Sequence, residues 1–307
     1  MRRVTRARSA EPRSWARREG LWGYPFIAPT SVLLAVFYLF PLLQTGIYSF
    51  TDWNPAGFSE ARPVGLANYA RLLSDAGFLR AAGVTATVVV TVVPFSLAIG
   101  LLLAAVMRVP FRGRSVVRAT VFLPFIAPTV GSALIFTYLL TPFGGLANAP
   151  LQALGLPPLP FLTSAPWSLV AIVVFTVWTQ VGFTMIIYSS AIAVIPDSYY
   201  EAAELDGAGP IRRFVSLTCP LVAPTTAFLA VTGTLGALQA FTQILILTRG
   251  GPSGSSSTIL YWVYEQGFVR FDGGAATAGA MILLIIGLVI AGIQLRFFGR
   301  RGGVEMQ

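Results

Sequence analysis

The 307 residues contain no histidine and no lysine, a single cysteine (Cys219), and only 11 % charged side chains. Each shortage excludes a class of chemistry. Without histidine, the commonest general base and metal ligand is missing. One cysteine supports neither a disulfide framework nor a cysteine-based metal cluster. Without lysine, a Gly-x4-Gly-Lys-Ser/Thr phosphate loop cannot be completed. Soluble domains carry about a quarter charged residues. With 55 % apolar residues and a mean hydropathy of +0.73, this chain cannot clothe a globular surface in water.

The charge that remains is basic, +9 from 21 arginines against 12 acids. Such a balance suits either a nucleic-acid groove or the ends of membrane spans. The uncharged runs decide between them. Leu21–Thr51, Ala81–Met107, Ala119–Pro196, Phe214–Thr248 and Gly273–Leu295 hold no Asp, Glu, Lys or Arg. A span needs about 20 apolar residues, so each shorter run holds one. The run 119–196 holds two, separated by the Pro- and Gly-rich stretch 141–166. Six spans are expected, near 24–47, 83–106, 120–140, 167–193, 222–247 and 275–295. The first apolar run is about twice as long as a signal-peptide core and ends without a small-x-small site, so a retained span is expected.

Arginine placement sets the orientation. The segment before span one, the 2–3 and 4–5 connections and the segment after span six hold 16 arginines and seven acids. The opposite face has five of each. Both termini are therefore expected in the cytoplasm. Trp53, Trp167 and Trp262 near the outer ends, and Trp22 near the inner end, fit interfacial anchors. Pro41, Pro94 and Pro124 are expected to end or kink helices. Cys219 reads as inert apolar packing, and the tail Met1–Glu19 as disordered.

One cytoplasmic loop breaks the positive pattern. Between spans four and five, Asp197, Glu201, Glu204 and Asp206 outnumber Arg212 and Arg213. Ser198 followed by Glu201 forms a capping-box pattern, which predicts a two-turn helix over Tyr199–Asp206. Gly207 then stands where a left-handed cap belongs. Glu201, Glu204 and Leu205 share a face, and Ala202 and Ala203 keep the helix slim. By spacing alone, this describes a solvated loop helix as well as a docking element. A two-turn helix is marginal by itself, so packing against a neighbour is expected.

The spans are uncharged but not wholly apolar. Thr176, Trp178, Thr179, Gln180, Thr184 and Tyr188 lie in span four, with Thr176, Gln180 and Thr184 on one face. Span five holds Gln239, Thr242 and Gln243, the two glutamines one turn apart. Neutral donors, acceptors and aromatic faces suit a permeating polar solute, and the same groups also bond membrane helices to each other. No intramembrane carboxylate or histidine is available for a proton relay, which counts against a secondary carrier. An integral-membrane enzyme would have little catalytic equipment.

Glu201-Ala202-Ala203, three residues, Gly207, nine residues, then Leu217-x-Cys219-Pro220 resembles the EAA loop of ABC importer permeases. The family pattern is EAA-x3-G-x9-I-x-L-P, from which Leu217 and Cys219 depart by apolar replacements. Within that family the chain is similar to the maltose-type (MalF-like) carbohydrate subunits. Ser49-Phe50-Thr51-Asp52-Trp53-Asn54, Gly65-Leu66-Ala67-Asn68-Tyr69, Arg112-Gly113-Arg114, Phe122-Leu123-Pro124 and Thr248-Arg249-Gly250-Gly251-Pro252 carry the likeness.

The resemblance implies an all-α integral membrane protein with six transmembrane helices in the type I ABC importer permease (MetI-like) fold. It divides the chain into an arginine-rich cytoplasmic tail 1–19, a permease domain 20–300 with its coupling loop 197–220, and a C-tail 301–307. It implies a place in the bacterial cytoplasmic membrane and no cofactor on this chain, ATP and Mg being used by a partner ATPase. The implied partners are a second permease subunit, an ATPase dimer and an extracytoplasmic solute-binding protein or lipoprotein, with no nucleic acid. Glu201, Ala202, Ala203, Glu204, Leu205 and Gly207 would couple to the ATPase. The solute would be a sugar or, alternatively, a glycerol phosphodiester or glycerol 3-phosphate.

Overall fold

The computed structural model describes residues 25–57 and 60–299. The expected tails 1–19 and 301–307, and the anchor Trp22, lie outside the described residues. Where described, the secondary structure is helical apart from one isolated antiparallel bridge between Thr51 and Pro63. The chain divides into two units, Met1–Ile47 and Tyr48–Gln307.

The described part of the first unit belongs to helix α1, Pro25–Tyr48, long and apolar enough to cross a membrane. A π-helical turn, Ala35–Leu39, lies just ahead of Pro41. The proline ring and its missing N–H do not fit the regular i→i−4 ladder. Pro41 bends the hydrogen bonding without ending the helix.

In the second unit, α2 (Ala67–Ser74) leads into α3 (Ala76–Val106), α4 (Arg114–Ile126), α5 (Thr129–Leu140) and α6 (Ala149–Ala153). Then come α7 (Ala165–Ala193), α8 (Asp197–Leu205), α9 (Pro210–Leu221), α10 (Ala223–Leu238), α11 (Thr242–Leu247), α12 (Ile259–Tyr264) and α13 (Gly273–Gly299). Like α1, helices α3, α7 and α13 have the length and apolarity of spans. Two bent pairs bring the number to six if each pair is one crossing: α4 with α5, bent by 101°, and α9 with α10, bent by 69°.

The first bend has a clear local cause. Ala127 precedes Pro128 and has φ −63°, ψ 142°, the extended region to which a residue before proline is confined. The expected single span near 120–140 is therefore two helices meeting at a corner. Pro124 lies inside α4 just before that corner, whereas α3 continues unbroken past Pro94.

The expected span 222–247 also divides. Helix α10 stops at Leu238, and Phe241 takes φ −134°, ψ −58° before α11 begins. The Ala240 carbonyl freed by this break accepts a hydrogen bond from the Thr258 hydroxyl at 3.1 Å. Non-helical backbone at membrane depth is tolerated only with such a partner. The break also corrects the spacing of the two glutamines: Gln239 caps α10, Gln243 belongs to α11, and they do not share one helical stripe.

Helix α7 is the central post, packed on α3, α4 and α10. Two glycines set the approach. A Cβ on Gly100 of α3 would lie 2.8 Å from Thr184 Cβ, and one on Gly182 of α7 would lie 2.4 Å from the Val121 carbonyl oxygen. Small residues that let backbones touch are the usual means of packing helices where apolar burial drives little. Around these crossings, Met185, Tyr188, Ile192, Ala104, Val222 and Leu229 form one buried cluster. A second cluster joins α2, α3, α12 and α13 through Leu72, Phe78, Ile259 and Trp262. Trp262 is thus a core residue, 7 % exposed and edge-on to Phe78, which corrects its assignment as an interfacial anchor. Trp53 stacks on Tyr48 and Trp167 meets Phe161, both half-buried.

Candidate functional site

Helix α8 occupies the acidic loop and begins earlier than the spacing predicts. Pro196 is its N-cap residue, with no side-chain cap, so the expected capping box between Ser198 and Glu201 does not form. With Pro196 at the cap, Ser198 is already inside the first turn. Asp197, now at the positive end of the helix dipole, pairs instead with Arg108.

The other end closes as expected. Gly207 has φ +75°. Its N–H donates to the Glu204 carbonyl, and the Ala208 N–H donates to the Ala203 carbonyl, both at 2.9 Å. These crossed bonds are a Schellman motif, which needs a residue in the left-handed region.

One side chain roots the helix. Tyr200 is buried, and its hydroxyl lies 3.0 Å from Thr218 Oγ1 on α9. The Arg108 guanidinium sits 3.5 Å from the centre of the Tyr200 ring, a cation–π contact. Arg108 therefore stacks on one residue of α8 and pairs with another, while Arg213 Nη1 binds Glu204 Oε2 at 2.7 Å. Beneath lies a cavity of about 200 Å³, bounded by Val109, Ile192 and Phe214 among others.

The residues that remain free are informative. Asp197 and Glu204 are neutralised from within the chain, while Glu201 and Asp206 enter none of the ion pairs among the described residues. Glu201 and Ala202 face solvent, Leu205 is 89 % exposed, and Ala203 is half-buried. Tyr199 and Ile211 add exposed apolar surface. An apolar knob between unpaired carboxylates, on a helix anchored by its opposite face, suits a groove with an apolar floor and basic rim.

The polar residues of α7 sort into two groups. Thr184 is buried and donates to the Ser96 carbonyl of α3 at 3.1 Å. Tyr188, fully buried, bonds Thr226 of α10 at 3.0 Å. Thr176 accepts from Gln243 Nε2 at 3.4 Å, so these two candidates meet each other. Thr179 donates to the Thr176 carbonyl. Each of these bonds is spent inside the chain. Trp178 packs against Phe136 and Phe175 and borders a groove of about 610 Å³ between α3, α4 and α7, apolar except for Thr120.

Gln180 is half-buried beside Gly236, whose Cβ position lies 3.8 Å from its Nε2. Gln239, one turn beyond Gly236, is exposed, and Thr242 is half-buried. Among the described residues, neither the Gln180 nor the Gln239 side-chain amide finds a hydrogen-bond partner, and the two lie at neighbouring levels of α7 and α10. Sequence reasoning missed Tyr200, Arg108 and Thr218 as the root of α8, and Ser96 and Thr226 as partners of the α7 hydroxyls. No local signal pairs residues 89 positions apart.

Among the described residues, no group of three His, Cys, Asp or Glu side chains is placed to hold a metal ion. Residues 96–301 match the family described as binding-protein-dependent transport system inner membrane component. The chain belongs to this family. It is a multi-pass membrane permease subunit of the ABC importer class, not an enzyme.

This permease is 31 % identical over 280 residues to the sn-glycerol-3-phosphate transport system permease protein UgpA of Agrobacterium fabrum, covering 91 % of this chain and 94 % of that one. It is 33 % identical over 282 residues to the protein of the same name from Yersinia enterocolitica, with the same coverage. Among solved structures, it resembles a chain of a bacterial ABC transporter involved in import of the acidic polysaccharide alginate. That match has a TM-score of 0.81 at 26 % identity, over 94 % of this chain and 99 % of that one. A second alginate transporter structure, in complex with an alginate pentasaccharide-bound periplasmic protein, gives a TM-score of 0.82 at 24 % identity, over 94 % and 98 %. The latter likeness concerns the fold.

Proposed function

We propose that this permease forms part of the membrane pathway for a sugar or sugar-derived solute handed over by an extracytoplasmic binding protein. In this reading it pairs with a second permease subunit, and an ATPase dimer drives transport by engaging α8. Both termini lie in the cytoplasm and six spans cross the membrane, each bent pair counting as one. The observation that carries the coupling assignment is the construction of α8. Its inward face is tied down by Tyr200, Arg108 and Arg213, while Glu201, Ala202 and Leu205 are left outward and unpartnered.

Gln180 and Gln239 are the solute contacts in this account, and Thr176, Thr184, Tyr188 and Gln243 hold the helices that frame them. Relatives named for sn-glycerol-3-phosphate and alginate favour an acidic solute. The candidate contacts on this chain are neutral, so the partner subunit supplies any countercharge.

Leu205→Arg in the reconstituted transporter tests the coupling role. It should lower ATP-driven uptake at least tenfold and leave the permease pair assembled. Unchanged uptake, with the ATPase bound as before, would refute it.

A further inference from the structure

Several arginines of the second unit have an internal use. Arg71, Arg108, Arg213 and Arg270 form ion pairs, and Arg80 donates to the Ser253 carbonyl. Arg114 and Arg118, on the first turns of α4, enter none of the ion pairs among the described residues, yet both are half-buried. The Arg118 Nε is shielded from solvent and has no hydrogen-bond partner among the described residues. A guanidinium does not shed its proton to escape such a position, and a buried donor without an acceptor is costly. An anion would supply the acceptor and the countercharge together.

The cavity beside these groups combines cationic and apolar lining. Arg114, Ser115 and Arg118 line one part of its roughly 520 Å³; Ala119, Phe122 and Ile186 of α7 line the rest. From Arg114 to Phe122 the helix climbs about 12 Å, so cationic donors give way to apolar wall along an element that enters the membrane. A free anion uses only the first part. A phospholipid uses both, with its phosphate on the two guanidinium groups and the Ser115 hydroxyl, and an acyl chain along Phe122 and Ile186. Basic pockets between membrane helices are suited to such headgroups.

We propose that this cavity binds an anionic phospholipid, phosphate at Arg114 and Arg118 and chain against Phe122. The site rests on the membrane placement of α4 and α7, not on the coupling or solute assignments, so it stands or falls separately from them.

The test is native mass spectrometry of the full-length permease in a zwitterionic detergent, titrated with phosphatidylglycerol, phosphatidylcholine or inorganic phosphate. Phosphatidylglycerol should bind at least tenfold more tightly than phosphatidylcholine. Each arginine near the headgroup is worth roughly fivefold, so Arg114→Gln with Arg118→Gln should weaken phosphatidylglycerol about 25-fold. The paired lysine variant should keep most of the affinity and so controls for folding. Phe122→Ala should weaken the lipid further without creating an advantage for phosphate. Arg212→Gln with Arg296→Gln removes the same charge elsewhere and should change affinity less than twofold.

Equal weakening by that charge-matched pair would overturn the proposal by reducing it to general attraction. Displacement of the lipid by equimolar inorganic phosphate would overturn it in favour of a small-anion site. Absence of any preference for phosphatidylglycerol would overturn it outright.

Discussion

Replacing Tyr200 by alanine should detach α8 from the rest of the permease. A nine-residue helix is not stable in isolation, so its order depends on what it packs against. Tyr200 is 8 % exposed, its ring carries Arg108, and its hydroxyl reaches Thr218. Truncating a buried aromatic costs about 3–5 kcal/mol, and the low end applies because the cavity beneath already opens to solvent. About 3 kcal/mol corresponds to a roughly 150-fold rise in local opening.

Hydrogen exchange across Asp197–Leu205 in the full transporter reads this directly, since local opening sets the exchange rate of those amides. Tyr200→Phe loses only one hydroxyl pair, about 1 kcal/mol, and should raise exchange about fivefold. The order alanine, then phenylalanine, then the native residue is the signature of anchoring through this ring. If Tyr200→Ala left those amides as protected as before, the account of how α8 is held would be wrong.

Further tests bear on separate parts of the molecule. Gly207→Ala places a Cβ in open space but in the left-handed region, and should cost about 1–2 kcal/mol, seen as faster exchange confined to the end of α8. Gly182→Ala drives its Cβ against the Val121 carbonyl and should destabilise the fold by about 1–3 kcal/mol, lowering the detergent unfolding midpoint. Thr184→Val removes a bond between α7 and α3 and should cost about 1 kcal/mol of stability, with the solute affinity of transport unchanged. Gln180→Ala and Gln239→Ala should do the reverse, weakening uptake at least fivefold while the unfolding midpoint stays put. An unfolding shift without an uptake defect in the glutamine variants would return them to helix packing.

The spans were legible wherever composition alone decides. The uncharged runs around 24–47, 83–106, 167–193 and 275–295 all became long helices, because a bilayer-length apolar stretch has no other way to satisfy its backbone. Gly207 was legible for an equally local reason, since the left-handed cap depends on one residue. What distant partners supply was not. The break after Leu238 is held open by Thr258, which supplies a hydroxyl to Ala240 from 18 residues downstream.

The capping box failed because Pro196 took the cap position and Arg108, 89 residues earlier, claimed Asp197. The polar residues of α7 read alike in sequence. Only packing separates Thr184 and Tyr188, whose bonds are spent, from Gln180, whose amide is not.

The central claim is that α8 is where ATP hydrolysis reaches this permease. Site-directed cross-linking tests it most directly. The single native cysteine is first removed as Cys219→Ser, Leu205→Cys is introduced, and a short bifunctional reagent is applied to the reconstituted transporter. The account predicts an efficient cross-link from position 205 to the ATPase, changing in yield when ATP is added, with little from Ile192→Cys, a buried position beneath α8 that leaves its anchor in place. Absence of any ATPase cross-link from position 205, in a transporter that still hydrolyses ATP and imports solute, would contradict it.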